Sequence, residues 1–156
     1  LYTGAGANGR TVGLHGGTPL VAARGHLVGL AHFKLYAPIG GHGQAWGYLH
    51  ATMAIQPQPP FALLGVSKPF ELPAAFQSPY RDRVQFAAGI RASERRDELL
   101  VSYGVGDCVP LVAQQSLRRA IRHALDGFAV GGAWHPNRTS IISNQSVRRL
   151  RSHRPP

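Results

Sequence analysis

Acidic residues are scarce in this 156-residue chain, which carries 7 Asp and Glu against 17 Lys and Arg. Sulfur is scarcer still, with one cysteine and one methionine. A lone Cys108 excludes an internal disulfide. With no activating partner in view, it reads as a small strand residue and not as a nucleophile. No stretch approaches the roughly 20 apolar residues that a membrane helix needs, so no transmembrane segment is expected. The pattern of a signal peptide is not seen at Leu1, and we expect the chain to begin inside a longer protein. The compartment is left open. Few acids also mean few candidates for acid–base work. Outside charged turns and the helix only Glu71, Asp82 and Asp107 remain, and they form no evident catalytic pair.

What the chain does have is glycine and proline, 19 and 12 residues, which favours short elements joined by turns. The formal charge of +10 is lopsided. Residues 1–117 hold nine basic and six acidic residues, and residues 118–156 hold eight arginines against Asp126 alone. Most of the excess therefore belongs to the C-terminal segment. No aromatic residue interleaves with its arginines after Trp134, so nucleic acid ranks low among the partners.

Short apolar, β-branched and aromatic runs mark the strands. Pro19–Ala23, His26–Tyr36, Trp46–Gln56 and Phe61–Ser67 make one antiparallel meander. Arg83–Arg91, Leu99–Tyr103 and Val109–Gln114 begin a second. Ser116 caps a helix whose apolar stripe is Leu117, Ala120, Ile121, Ala124 and Leu125. The reading is an all-β chain, a partial β-propeller of about two antiparallel blades, with one short C-terminal helix and a disordered basic tail. Its expected divisions are an irregular opening segment (1–15), a propeller domain (16–127) and the tail (128–156). Two blades cannot close a ring, so missing N-terminal blades of the same protein are an expected partner.

The segment LLVSYGVGDCVPLVA places Tyr103, Gly104 and Asp107 where a strand gives way to a glycine-lined bend. A tyrosine ring and a carboxylate there suit a sugar, with its apolar face and polar rim. A plain turn, with Asp107 bonded to its own backbone, is the competing reading. His32 and Lys34 share a strand face by period-two geometry, and such a pair can hold an anion. His50 lies on the neighbouring strand and lines the same end. His15, His26, His42, His123, His135 and His153 read as loop, turn or surface residues. No H-x-H or H-E-x-x-H pattern occurs, so no metal site is expected.

Taken in order, these segments resemble the C-terminal blades of the β-mannoside phosphorylase and hydrolase family, five-bladed propellers acting on sugars. Gly16-Gly17-Thr18-Pro19-Leu20 is similar to that family's Gly-x-Pro-Pro strand start. GLAHFK resembles its Tyr-His-Gly strand, and FALLGVSKPFELP its Ser-Lys-x-Pro segment. RVQFAAGI resembles its Val-x-Phe-Pro-x-Gly strand, and SYGVGD its Tyr-Gly-x-x-Asp motif. Ala31, Phe33 and Ala87 depart from the pattern. The resemblance implies that Tyr103 and Asp107 face the sugar and that His32 meets phosphate, which would serve as a co-substrate; no other cofactor is implied. It also implies that the general acid lies in an earlier blade, so no residue here is assigned a catalytic role. The expected function is a carbohydrate-active propeller fragment, related to enzymes that cleave or transfer β-linked sugars with inversion, and inactive alone. The alternatives are a noncatalytic glycan-binding or truncated gene product, and a basic interaction protein governed by its tail.

Overall fold

A computed structural model describes residues 3–5, 11–38, 44–76, 84–127 and 146–149. Among the described residues the chain is mostly β, with one short helix and a curled antiparallel half-barrel sheet. These residues form two sheets. In the first, β1 (Thr3–Ala5) pairs β2 (Thr11–Gly16), and β2 pairs the far half of β4 (His26–Pro38). β3 (Val21–Ala23) pairs the near half of the same β4, which then pairs β5 (Gln44–Ile55), and β5 pairs β6 (Leu63–Val66). The second sheet runs β7 (Gln85–Ser93), β8 (Glu98–Val105), β9 (Val109–Ser116) and β10 (Ser146–Arg149), each antiparallel to the last.

Two expectations are corrected. The opening segment, expected to be irregular with room for one short strand, holds Thr3–Ala5 and Thr11–Gly16 as strands, and the second pairs β4 and crosses the boundary expected at residue 15. Nor is the tail uniformly disordered, since Ser146–Arg149 adds a fourth strand beside β9. The rest of the expected tail lies outside the described residues, as do residues 39–43. Residues 11–16 and 146–149 carry weak patterns by themselves, and cross-strand pairing decides them.

β8 shows how sequence becomes packing. Its alternation buries Leu99, Val101, Tyr103 and Val105 and turns Leu100, Ser102 and Gly104 outward. Val101, Tyr103 and Val105 meet Leu30, Phe70, Leu72, Ala87, Leu111 and Ala113 to form the core between the sheets, while Leu99 packs with Ala23, Val28 and the helix. Gln85 closes that core by standing in for a strand. Its side-chain Oε1 accepts from the Leu72 N–H at 2.8 Å, and its Nε2 donates to the Leu72 carbonyl, also at 2.8 Å. Both buried backbone groups are thereby satisfied.

The helix α1 (Leu117–Leu125) starts where Ser116 accepts from the Arg119 N–H at 3.2 Å. Leu117, Ala120, Ile121 and Ala124 are buried, while Leu125 is exposed although it extends the same stripe. Asp97, at the β7–β8 turn, accepts from the Ser116 hydroxyl at 2.7 Å and from the Arg118 N–H at 2.9 Å. Those bonds, the Ser116 hydroxyl first, hold its carboxyl below the usual range. Ser116→Ala should cost about 1 kcal/mol, read as a lower midpoint in urea unfolding, by removing the cap. An unchanged midpoint would show that Asp97 alone holds the helix end.

Candidate functional site

The face of β4 turned toward the second sheet changes character along its length. Val28 and Leu30 are buried core residues. Two and four positions further on, His32 and Lys34 occupy the same face and are half-buried. Register carries this change across the sheet. His15 of β2 stands opposite His32, which stands opposite His50 of β5, which in turn bridges to Phe70. Three imidazoles thus form one row over three neighbouring strands. Lys34 stands opposite Tyr48 on the same face.

His32 is the hub of the open part. Its ring stacks on His15 at 5.6 Å between centroids and meets Tyr48 edge-on at 5.1 Å. Phe86 arrives from β7 of the second sheet, 5.4 Å from His32 and 6.0 Å from Tyr48. Phe86 remains 43% exposed, so the cluster opens to solvent and is not sealed core. Burial, and then the neighbouring His15, push the His32 pKa down. The arrangement offers ring faces, ring nitrogens and an ammonium within one patch.

His50 lies behind this patch. It is 1% exposed, and neither Nδ1 nor Nε2 has a hydrogen-bond partner. Burial, with a smaller contribution from His32, pushes its pKa down to about 4, so it is neutral at pH 7. Among the described residues no group of three or more His, Cys, Asp or Glu is placed to share a metal ion.

The expected site residues therefore divide. His32, Lys34 and His50 share one face, the first two as their spacing implies and the third through the β4–β5 register. Tyr103 does not open toward them: it is 3% exposed, belongs to the core, and its hydroxyl donates to the Pro73 carbonyl at 3.0 Å. A ring so covered offers no stacking face, because the β8 alternation turns it inward with Val101 and Val105. Asp107 is exposed in the β8–β9 turn at a φ of 57°, where the adjacent Gly106 N–H donates to the Val84 carbonyl at 2.7 Å. That bond pins the turn beside the start of β7, at the Phe86 end of the second sheet. Gly104 stands opposite Phe86. Tyr103 and Asp107 are thus not brought together.

Sequence reasoning missed His15, Tyr48 and Phe86. Tyr48 had a readable signal, two residues before His50 and so on its face. His15 and Phe86 had none, because their neighbours come from strands distant in sequence.

Comparison with protein-family models, with curated proteins and with solved structures finds no match. The chemistry of the cluster must speak for itself. Among the described residues no helix is long and apolar enough to cross a membrane.

Proposed function

We propose that this chain is the saccharide-binding part of a carbohydrate-active protein of β-propeller type. The half-exposed cluster of His15, His32, Tyr48 and Phe86 beside Lys34 carries the reading. Stacked and edge-on rings beside hydrogen-bonding groups match a sugar, whose C–H face is apolar and whose rim is polar. The antiparallel runs β3 to β6 and β7 to β9, the latter joined by β10 after the helix, support the propeller part of the proposal. In the intact protein the β-linked sugar, of mannoside type by resemblance, moves with inversion to phosphate, water or another acceptor. Asp107, at the rim, accepts from sugar hydroxyls.

A noncatalytic glycan-binding role for the chain itself is favoured by where its carboxylates lie. Arg24 NH2 is 3.8 Å from Asp97, its backbone N–H donates to Glu94 at 2.6 Å, and Arg96 stands 3.6 Å from Glu98. All three acids sit at the β7–β8 turn, the end of the second sheet away from Phe86. Asp126 caps the helix. Four of the described acids thus lie away from the ring cluster, and no pair of carboxylates flanking a glycosidic bond is assembled from them.

The purified chain should bind methyl β-mannoside, followed by calorimetry or ligand-observed NMR, without turning over any β-mannoside. Phe86→Ala should weaken that binding about tenfold, since an aromatic stack contributes on the order of 1 kcal/mol or more. Full affinity in Phe86→Ala would remove the cluster from consideration. Measurable turnover would show that an acid has been overlooked.

A further inference from the structure

The end of the molecule away from the ring cluster brings together elements remote in sequence. β5 leaves its sheet just after Ile55, which stands opposite Leu27, so the β5–β6 connection lies beside the β3–β4 turn at Arg24. Arg24 meets Glu94 and Asp97 of the β7–β8 turn, and Asp97 holds the first turn of α1. From there the helix crosses this end until Ala124 and Leu125 reach Gly65 of β6.

Apolar side chains are left uncovered here. Phe61, Leu64 and Leu125 are all exposed, Phe61 the most at 54%. No Asp, Glu, Lys or Arg lies between Lys34 and Lys68, so the whole β5–β6 connection is free of charge. Phe61 has a φ of 56°, a left-handed backbone that bulky residues rarely adopt. Two bonds fix it there, from the Phe61 N–H to the Gln58 carbonyl and from the Gln56 N–H to the Ala62 carbonyl, both at 2.8 Å. Strain kept while the ring stays half in solvent points to a partner outside the fold.

Cations flank the apolar residues. Arg118, Arg119 and Arg122 all face outward on α1, with Asp126 the one acid at the helix end. The carboxylates of the neighbouring turn are already engaged, Glu94 by the Arg24 N–H, Asp97 by Arg118 and Glu98 by Arg96. Arg95, Arg119 and Arg122 have no ion-pair partner among the described residues.

We propose that this end of the molecule docks on a bilayer surface that contains anionic lipid. Phe61, Leu64 and Leu125 enter the boundary between headgroups and acyl chains, and Arg119 and Arg122 meet the lipid phosphates and carboxylates. A nucleic acid would use the arginines but not an uncharged loop with an outward phenyl ring, so the bilayer accounts for more of what is exposed. The ring cluster, on the far half of β4, then faces the aqueous phase. Docking of this kind is independent of what that cluster binds.

The test is flotation of the full chain with vesicles of phosphatidylcholine alone or mixed with phosphatidylserine. The mixed vesicles should carry the chain, the neutral ones should carry far less, and high salt should weaken the attachment. Arg119→Gln with Arg122→Gln should weaken binding about thirtyfold, at roughly 1 kcal/mol per charge. Phe61→Asn should weaken it about tenfold by removing the apolar anchor. Because Asn tolerates the left-handed region, its thermal midpoint should equal or exceed that of the parent. No binding to mixed vesicles, or equal binding to both kinds, would overturn the inference. So would parental binding in either variant, since the attachment would then belong to charges elsewhere in the chain or to charge alone. A chain that ignores vesicles yet binds duplex DNA would assign the arginines to nucleic acid instead.

Discussion

Gly65→Ala should lower the stability of this chain by about 3 kcal/mol or more, far beyond the usual effect of one added methyl group. The seam between α1 and β6 is closed by backbone against backbone. A Cβ on Gly65 would strike the Ala124 carbonyl oxygen and stand 3.0 Å from the Ala124 carbonyl carbon and 3.2 Å from Leu125 Cα. None of those atoms belongs to a flexible side chain that could step aside. Gly127 repeats the device from the other direction, its position touching the Val66 carbonyl. Relief requires the helix to lift off β6, which would unseat Leu117, Ala120 and Ile121 from the cluster they form with Ala23, Val28 and Leu99. Thermal unfolding reads the result, with a midpoint lowered by roughly 10 °C at about 2–4 °C per kcal/mol for a chain of this size. Gly104→Ala supplies the control. With open space and an ordinary φ, it should be neutral or stabilise by up to about 1 kcal/mol, through the unfolded chain. A Gly65→Ala midpoint within a degree of the parent would mean that the helix is not seated as described.

Much of this fold was legible because its elements announce themselves locally. The run His26–Tyr36 needs no partner to be read as a strand, and Ser116 followed by the Leu117–Ala124 stripe is a complete helix start. Short strands without such content were not legible. Thr11–Gly16 holds Gly13 and Gly16, and Ser146–Arg149 is two-thirds of the way through a polar, arginine-rich stretch. Each becomes a strand only because an edge of β4 or β9 has unpaired N–H and C=O groups to offer. That information is not in the segment itself.

The site divides along the same line. Period-two spacing put His32 with Lys34 correctly, since that geometry is local. Tyr103 shows the opposite failure. Its chemistry suggested a ligand, yet the row Leu99, Val101, Tyr103, Val105 already alternates as one apolar face. Pattern outweighed residue type, and the phenol went inward with its hydroxyl bonded to Pro73. Phe86 could not have been found at all without knowing that β7 passes the open end of β4.

The buried imidazole yields the second large effect, which appears on acidification. His50 is neutral in the fold with a pKa of about 4, against about 6.5 in an unfolded chain. Between those values the unfolded chain holds more protons, so stability falls as pH falls. The contribution is fully present above about pH 6.5 and lost once pH has dropped to about 4, amounting to roughly 3 kcal/mol across the window. His32 and His123, both also pushed down chiefly by burial, act in the same direction. Asp97 acts separately, since a carboxyl held below its usual range loses its contribution only at still lower pH. His50→Leu isolates the effect, because it replaces two buried nitrogens that have no partner with an apolar group. Urea unfolding from pH 7 to pH 4 should show a steep loss for the parent chain and a shallower one for His50→Leu, with near-equal stability of the two at pH 7. Parallel curves would mean that His50 takes up its proton as readily folded as unfolded, and that its ring is not buried as described.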